Sequence, residues 1–208
     1  MYQLYGMPMT RATRVSWALE EIGADYQYHL VDLMKGEGQS ADFLKLNPFG
    51  KVPVLVDGDL VLTESAAICS YLGDKHPESE LVPPAGSGAR GKYDQWSYFV
   101  LTELEQPLWT IGKHQFVFPE DKKVPAIIDV ACWEFTRAAA VLAKYLEGKS
   151  YLVADAFSMA DIHAAHTLMW ARAFKIPHEQ ELLADYEQHI GARTALARAK
   201  EREKAARS

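Results

Sequence analysis

The sequence has 208 residues, of which 49% are hydrophobic and 24% charged, a composition typical of a globular protein. Its net charge of −6 argues against a nucleic-acid-binding surface, and no apolar run approaches the roughly 18 residues that a membrane span requires. Met1 leads directly into a predicted strand without a basic or apolar leader, so a cytoplasmic location is expected. Cys69 and Cys132 form neither a redox motif nor a zinc cluster and are predicted to be free thiols.

The first 78 residues predict the element order β-α-β-α-β-β-α. The predicted strands span residues 3–5, 26–31, 52–56 and 60–62, and the predicted helices span residues 10–23, 43–46 and 64–76. Asp57-Gly58 between two apolar runs is a strong signal of a β-hairpin. Pro53 lies inside the third strand, where it cannot donate to the ladder. A proline at this position fits a cis peptide bond and a Val52 backbone that turns outward to meet a ligand.

Residues 79–91 are rich in proline, glycine and serine and are predicted to be a linker, and residues 92–208 are predicted to form an all-helical domain. Its predicted helices span residues 92–115 with a bend at Pro107, 126–146, 157–174 and 179–198. Ser158 and Asp161 have the spacing of a capping box, with Phe157 and Ile162 as its hydrophobic staple. The charged residues up to Ser208 are expected to fray.

One stretch of the first half carries the pattern of a ligand site. Asn47 to Leu55 predicts a turn followed by a strand that begins at a kinked proline, and Glu64 and Ser65 open a new helix. A strand edge can form main-chain hydrogen bonds with an extended peptide, and a helix N-terminus favours an anion. The sequence therefore predicts a small peptide-binding site at this place.

The βαβαββα unit followed by a helical domain resembles the cytosolic glutathione transferase family over essentially the whole chain. The motifs that carry the resemblance are Leu4–Arg14, Asn47–Pro53, Glu64–Ile68, Gln95-Trp96, Glu103–Pro107 and Ser158–Asp161. Leu4–Arg14 is similar to the serine-type, theta- and phi-like classes. Gln95-Trp96 and Glu103–Pro107 are similar to bacterial members. The resemblance implies a thioredoxin-like α/β domain, an all-α domain and a homodimer. Its partners would be glutathione as co-substrate and an electrophilic small molecule, without a resident cofactor.

The resemblance also implies which hydroxyl activates the thiol of glutathione. Thr10 stands where serine-type members carry serine, at the start of a predicted helix, so it would donate a hydrogen bond to the sulfur anion. The alternative is that Thr10 only caps this helix. Tyr5 is the second candidate, because other classes use a tyrosine from the first strand, or it is a wall tyrosine. Arg14 would make a structural ion pair or support the site with its charge.

Six residues are implied to bind glutathione: Gln39, Lys51, Val52, Pro53, Glu64 and Ser65. Val52 would exchange main-chain hydrogen bonds with the cysteinyl part of the tripeptide. Ser65 would bind the γ-glutamyl carboxylate, and Glu64 would face the ammonium group or cap its helix. Lys51 and Gln39 are candidates for the glycyl end, although Gln39 is equally consistent with a solvated loop residue.

Phe49 resembles an aromatic residue that some members insert into the partner subunit, and its alternative is packing on its own domain. The electrophile pocket is expected between the domains, at Met7, Met9, Trp109, His114 and Phe116, unless these side chains belong to the core. His163 and His166 lack a matching third ligand, so no metal site is expected.

The expected function is glutathione transfer: activation of the thiol as a thiolate that attacks an electrophilic carbon. Two rivals keep the same scaffold. One is a glutathione-dependent disulfide or peroxide reductase, and the other is a non-catalytic binding or regulatory protein.

Overall fold

A four-stranded sheet forms the centre of the first of two structural units in the chain. Its strands are β1 (Tyr2–Gly6), β2 (Tyr26–Leu30), β3 (Val54–Asp57) and β4 (Leu60–Thr63), in the spatial order β2-β1-β3-β4. β1 runs parallel to β2 and antiparallel to β3, and β3 and β4 form the predicted hairpin. β1 is therefore paired on both sides, and its ends fix the positions of the segments around it.

The computed structural model describes residues 1–176 and 180–207. By its contacts the first unit comprises Met1–Pro84 and Ala192–Ser208, and the second comprises Ala85–Gly191. Within the described residues, no helix is long and apolar enough to cross a membrane.

Helices cover both faces of the sheet in the first unit. They are α1 (Ala12–Ile22), α2 (Ala41–Leu46) and α3 (Ser65–Lys75), and short 3₁₀ turns lie at Leu33–Lys35, Glu37–Gln39 and Pro77–Ser79. The buried side chains of β1 alternate with half-buried ones, as expected for a strand between two layers. On one face α1 is buried along almost its whole length, and on the other Phe43 of α2 packs with Val31 and Val54. The predicted thioredoxin-like α/β domain is confirmed.

The second unit is helical. Its helices are α4 (Gly88–Phe99), α5 (Gln106–Gly112), α6 (Ile127–Leu146), α7 (Met159–Ala173) and α8 (Glu181–Gly191). A π-helical segment, Val100–Glu105, joins α4 to α5 directly before Pro107, and a second one, Lys113–Val117, follows α5. Proline lacks an amide hydrogen, so Pro107 cannot donate the backbone hydrogen bond of a regular α-helix. The wider π-helical turn lies directly before this position. The predicted bend at Pro107 is a change of helix type.

The predicted capping box of α7 is present. Ser158 and Asp161 exchange side-chain and backbone hydrogen bonds, and Asp161 is fully buried. The Asp161 carboxylate also accepts from the amide of Leu152 at 2.9 Å and from the hydroxyl of Tyr186 at 2.7 Å. One carboxylate therefore joins the start of α7 to the preceding loop and to α8.

Several predicted boundaries differ from the structure, and three of them bear on the site or on the division into domains. β3 begins at Val54 and not at Val52, because Pro53 interrupts the ladder before it. The predicted linker 79–91 is shorter, since Leu81 and Val82 are buried in the first unit and Ser87 caps α4 by accepting from the amide of Arg90. α1 begins at Ala12, two residues after the predicted start.

The expectation of a frayed tail is also wrong. Residues Thr194–Ala205 form a helix, α9, that packs on α1 and β2 and belongs to the first unit. Ala195, Ala199 and Glu203 recur every four residues and are all buried, so α9 has a continuous contact face. α9 therefore belongs to the sheet domain and not to the predicted all-helical domain 92–208. The predicted helix start at residue 179 lies outside the described residues.

Replacing Asp161 tests the capping network. Asp161→Ala leaves the amides of Leu152 and Ser158 and the hydroxyl of Tyr186 without their acceptor, at about 1–3 kcal/mol each. We expect the free energy of unfolding in urea to fall by about 3 kcal/mol or more. Asp185→Ala, which removes an exposed carboxylate from α8, is the control and should change it by less than about 0.5 kcal/mol. Equal losses in the two variants would contradict the prediction.

Candidate active site

Strand register brings three predicted site segments to one edge of the sheet. Tyr5 of β1 pairs with Val54 of β3, and Val54 pairs with Thr63 of β4. The residues that follow β1, precede β3 and follow β4 therefore lie side by side. These are the turn containing Thr10, the segment Lys51–Pro53 and the start of α3 at Ser65.

The turn before β3 is held by one buried side chain, that of Asn47. Its Nδ2 donates to the carbonyl of Lys51 at 2.7 Å, and its Oδ1 accepts from the amide of Phe49 at 3.1 Å. Asn47 is only 5% exposed, so it is a positioning residue for the turn. Sequence reasoning used it as part of a motif without assigning it this role, although Asn before Pro is a common turn signal.

The Val52–Pro53 peptide bond is cis, as the sequence predicted. Pro53 is buried, Val52 is half-buried and Lys51 is exposed, so accessibility increases along the segment away from the sheet. Val52 precedes β3 instead of lying within it.

Gln39 lies directly against this turn. Gly50 has a φ of +63°, and a side chain added there would collide with the Gln39 amide and with the carbonyl oxygen of Gly38. Glycine is therefore required at position 50 both by backbone conformation and by this close approach. The structure brings Gln39 next to Lys51, the other residue predicted at the glycyl end.

The start of α3 combines two features that favour an anion. Ser65 is buried at the first position of the helix, where the backbone amides are unpaired within the helix. Arg14 of α1, which is fully buried, donates from Nη1 to the Ser65 hydroxyl at 3.5 Å. Glu64 is exposed in a left-handed conformation, with φ of 65°, and its side chain makes no capping bond. Glu64 therefore occupies the N-cap position of α3, but its side chain does not cap the helix.

Thr10 lies in the turn between β1 and α1. Its hydroxyl donates to the carbonyl of Met7 at 2.6 Å and accepts from the amide of Ala12 at 3.2 Å. The second bond satisfies an amide in the first turn of α1, so Thr10 does serve the helix start. A hydroxyl has one hydrogen, and donation to a sulfur anion requires it to rotate away from Met7 while the bond from Ala12 is kept.

Tyr5 lies in an apolar wall. Its ring stacks on His29 of β2 with 4.6 Å between ring centroids and packs near Phe43 at 6.3 Å. It also packs against the buried cluster of Val31, Phe43 and Val54. Tyr5 therefore packs as a wall residue, which is the alternative role that the sequence suggested for it.

The predicted pocket residues are divided between the two units. Met7 is half-buried and Met9 is 88% exposed, both in the first unit. Trp109, His114 and Phe116 lie along one stretch of the second unit. There His114 Nδ1 accepts from the amide of Val124 at 3.0 Å, and Phe116 is in ring contact with Phe174 at 5.7 Å. Their shared pocket stays a prediction.

α9 supports the helix that follows Thr10, and sequence reasoning missed it. Glu203 is 2% exposed and accepts from the hydroxyls of Ser16 at 2.5 Å and Thr13 at 3.1 Å. Arg198 and Arg202 form ion pairs with Glu20 at 3.0 and 3.1 Å. The four-residue spacing of Ala195, Ala199 and Glu203 was the available signal. Burial raises the pKa of the Glu203 carboxyl, and the bonds from Ser16 and Thr13 oppose that rise.

Among the described residues, no group of three or more His, Cys, Asp or Glu side chains could hold a metal ion.

Comparison with known proteins identifies the family. The N-terminal domain model of glutathione S-transferases matches residues 1–74, and the C-terminal domain model matches residues 108–190. Glutathione S-transferase Z2 of Arabidopsis thaliana is 37% identical over 163 residues, which cover 74% of this chain and 71% of that protein. Glutathione S-transferase 3 of Zea mays is 34% identical over 177 residues, which cover 80% of this chain and 76% of that protein. The chain belongs to the glutathione S-transferase family.

Solved structures agree with this assignment. The chain is similar to a glutathione transferase from Methylococcus capsulatus, with a TM-score of 0.88 and 31% identity over 99% of this chain and 100% of that one. It is also similar to the glutathione transferase URE2P8 from Phanerochaete chrysosporium, solved with oxidized glutathione. That match has a TM-score of 0.87 and 25% identity over 100% and 97% of the two chains. Family and relatives together make this protein a glutathione transferase.

The buried Glu203 gives this glutathione transferase a testable pH dependence. Because burial raises its pKa from the ordinary 4.5, the folded state binds the proton more tightly than the unfolded state. The contribution of Glu203 to the free energy of unfolding therefore falls as pH rises from about 4.5 through the folded-state pKa. Glu203→Gln does not titrate, so its stability relative to wild type should increase over this window.

Urea unfolding at several pH values between about 4 and 8 measures the difference. Glu201→Gln, which removes an exposed carboxylate from the same helix, is the control and should run parallel to wild type. A Glu203→Gln curve that also runs parallel to wild type would contradict the assignment.

Proposed function

We propose that this glutathione transferase holds glutathione across the sheet edge where Lys51–Pro53 meets the start of α3. The observation that carries the proposal is the register of β1, β3 and β4, which aligns the Thr10 turn with these two segments. The cysteinyl part of the tripeptide pairs with the Val52 backbone beside Pro53, and the thiol then lies toward the Thr10 turn.

The two ends of glutathione have chemically suitable partners. The γ-glutamyl carboxylate binds at Ser65, where the α3 amides and the buried Arg14 both favour negative charge. Glu64, exposed beside Ser65, faces the ammonium group. Lys51 and Gln39 bind the glycyl carboxylate, supported by the contact of Gln39 with Gly50.

Thr10 stabilises the thiolate in this proposal. Its hydroxyl donates to the sulfur anion at the N-terminus of α1, and both the bond and the helix dipole lower the pKa of the thiol. The thiol proton leaves to solvent, and the sulfur attacks an electrophilic carbon. When a leaving group is present, it departs with the electron pair of the broken bond, so a sulfur–carbon bond replaces it. The proposal makes Tyr5 a wall residue of the site, in keeping with its packing against Phe43.

The enzyme is proposed to act in the cytoplasm as a homodimer. Cys69 and Cys132 are free thiols, which fits a reducing compartment. Each unit exposes large apolar side chains: Phe49, Leu60 and Val61 in the first, and Tyr98, Val130 and Trp133 in the second. Phe49, 80% exposed on a turn, is the most accessible side chain of these six, and exposed apolar patches mark protein interfaces.

Replacing Thr10 tests the proposed activation. Thr10→Val keeps the shape and removes the hydroxyl, so we expect kcat/KM for glutathione with a chloronitroarene to fall by about 100-fold. The pKa of enzyme-bound glutathione, measured by thiolate absorbance, should return to about 8.5. Thr10→Ser keeps the hydroxyl and is the matched control, expected within a few-fold of wild type.

Binding to immobilised glutathione and thermal melts show whether Thr10→Val remains folded, since loss of the Ala12 bond alone costs about 1 kcal/mol. Full activity of a folded Thr10→Val variant would reject Thr10, and Tyr5→Phe is then the next test. Faster wild-type turnover of hydroxyethyl disulfide than of the chloronitroarene would favour the reductase. A wild-type protein that binds no glutathione would overturn the proposal.

Phe49→Ser tests the dimer. The wild-type protein should have twice the 23.3 kDa chain mass in light scattering, and removing the exposed ring should shift the protein toward the monomer at micromolar concentration. Phe116→Ser removes another exposed phenylalanine from the second unit and serves as control, with no expected change in mass. A Phe49→Ser variant that stays dimeric at all concentrations would remove Phe49 from the interface.

A further inference from the structure

A cavity of about 360 Å³ lies where β1 and β2 end, within the first unit. Its lining residues are Met7, Leu30, Asp32, Met34, Lys35 and Arg207. The parallel pairing of Gly6 with Leu30 explains its place, because both strands end at the same edge of the sheet. The carbonyl of Met7 accepts the Thr10 hydroxyl at 2.6 Å, so the cavity adjoins the proposed site of thiol activation.

Three apolar side chains line this cavity. Leu30 and Met7 are half-buried, and Met34 is 85% exposed at its rim. Methionine side chains are flexible and polarisable, so they adapt to flat or branched organic groups. This part of the cavity suits the carbon skeleton of a small molecule.

The charges of the cavity are unequal. Lys35 and Asp32 form an ion pair at 3.3 Å, and the Asp32 carboxylate also accepts from the amides of Met34 at 3.0 Å and Lys35 at 3.2 Å. Asp32 is therefore committed to its own loop and neutralises Lys35. In the described part of the chain, the Arg207 guanidinium has neither an ion pair nor a hydrogen bond. Among the lining residues, Arg207 therefore carries the charge that no other lining residue neutralises. Two carboxylates lie nearby outside the lining: Glu37 accepts from the amide of Asp32 at 2.7 Å, and burial raises the pKa of the Glu203 carboxyl, a rise that the charge of Arg207 opposes.

The packing of α9 brings Arg207 to this place. Glu203, four residues earlier, is anchored by Thr13 and Ser16 of α1, and Arg202 donates to the carbonyl of Tyr26 on β2 at 2.9 Å. These contacts fix α9 along α1 and β2, so that the residues after it reach the end of β2. Arg207 lies in the turn directly after α9, where its amide donates to the carbonyl of Lys204 at 3.1 Å, so the anchored helix positions its backbone.

We propose that this cavity binds the acidic group of the electrophilic co-substrate, with Arg207 as its specificity-determining residue. The carboxylate meets the guanidinium, and the apolar body lies across Met7 and Met34 toward the thiol. The co-substrate class is then a small organic acid that carries an electrophilic carbon. This inference rests on the proposed function, because it extends the same site.

A matched pair of electrophiles tests it: a chlorodinitrobenzoate and the corresponding uncharged benzamide. In both, the glutathione sulfur forms a bond to the ring carbon, and chloride leaves with the electron pair of the carbon–chlorine bond. The ratio of kcat/KM for the benzoate to that for the benzamide isolates recognition of the acidic group. In Arg207→Gln we expect this ratio to fall about tenfold, through a higher KM for the benzoate.

Lys204→Gln is the control, because it removes one exposed positive charge from α9 without touching the cavity, and its ratio should equal that of wild type. An unchanged ratio in Arg207→Gln overturns the inference and leaves the proposed function intact. The inference is also overturned if Arg207→Gln raises the KM for glutathione and leaves the KM for the benzoate unchanged. That result would assign Arg207 to the glycyl carboxylate. Wild-type protein that turns over neither electrophile overturns the proposed function and this inference with it.

Discussion

The hydrogen-bond pairing of β1 with strands on both sides is the constraint on which the candidate site depends. Its parallel partner β2 ends beside it, and its antiparallel partner β3 begins beside the same end. A shift of one residue in this register would turn every side chain of β1 to the opposite face of the sheet. The hydroxyl of Thr10, the backbone of Val52 and the helix start at Ser65 come together because that register is fixed.

Buried polar groups of α1 then hold this edge in place from two sides. Arg14 reaches Ser65 of α3, while Thr13 and Ser16 donate to Glu203 of α9. Such groups are costly to bury without partners, so α1 has only one arrangement in which all of these bonds are made. The helix whose N-terminus faces the proposed thiol is thus positioned by polar bonds as well as by apolar packing.

The parts of the structure with local signals were predictable. Asp57-Gly58 marked the hairpin, Ser158 and Asp161 marked the start of α7, and Pro53 marked a cis bond, because each pattern acts on neighbouring residues. What was missed depends on distant partners. Half of the residues of α9 are charged and its buried face is narrow, so the four-residue spacing of that face is a weak signal and the stability of the helix depends on its packing against α1. The bonds of Asn47 and the placement of Arg207 likewise require the folded chain.

The packing of α9 on α1 also sets the order in which the chain can fold during synthesis. The bond between Thr13 and Glu203 joins residues 190 positions apart, and the whole second unit lies between them. Residues 85–191 form a separate set of contacts that does not include α9. The sheet domain, although its synthesis starts earlier, leaves the polar side of α1 uncovered until residues 194–205 have emerged. The last helix of the chain is therefore needed to complete the domain that is synthesised first.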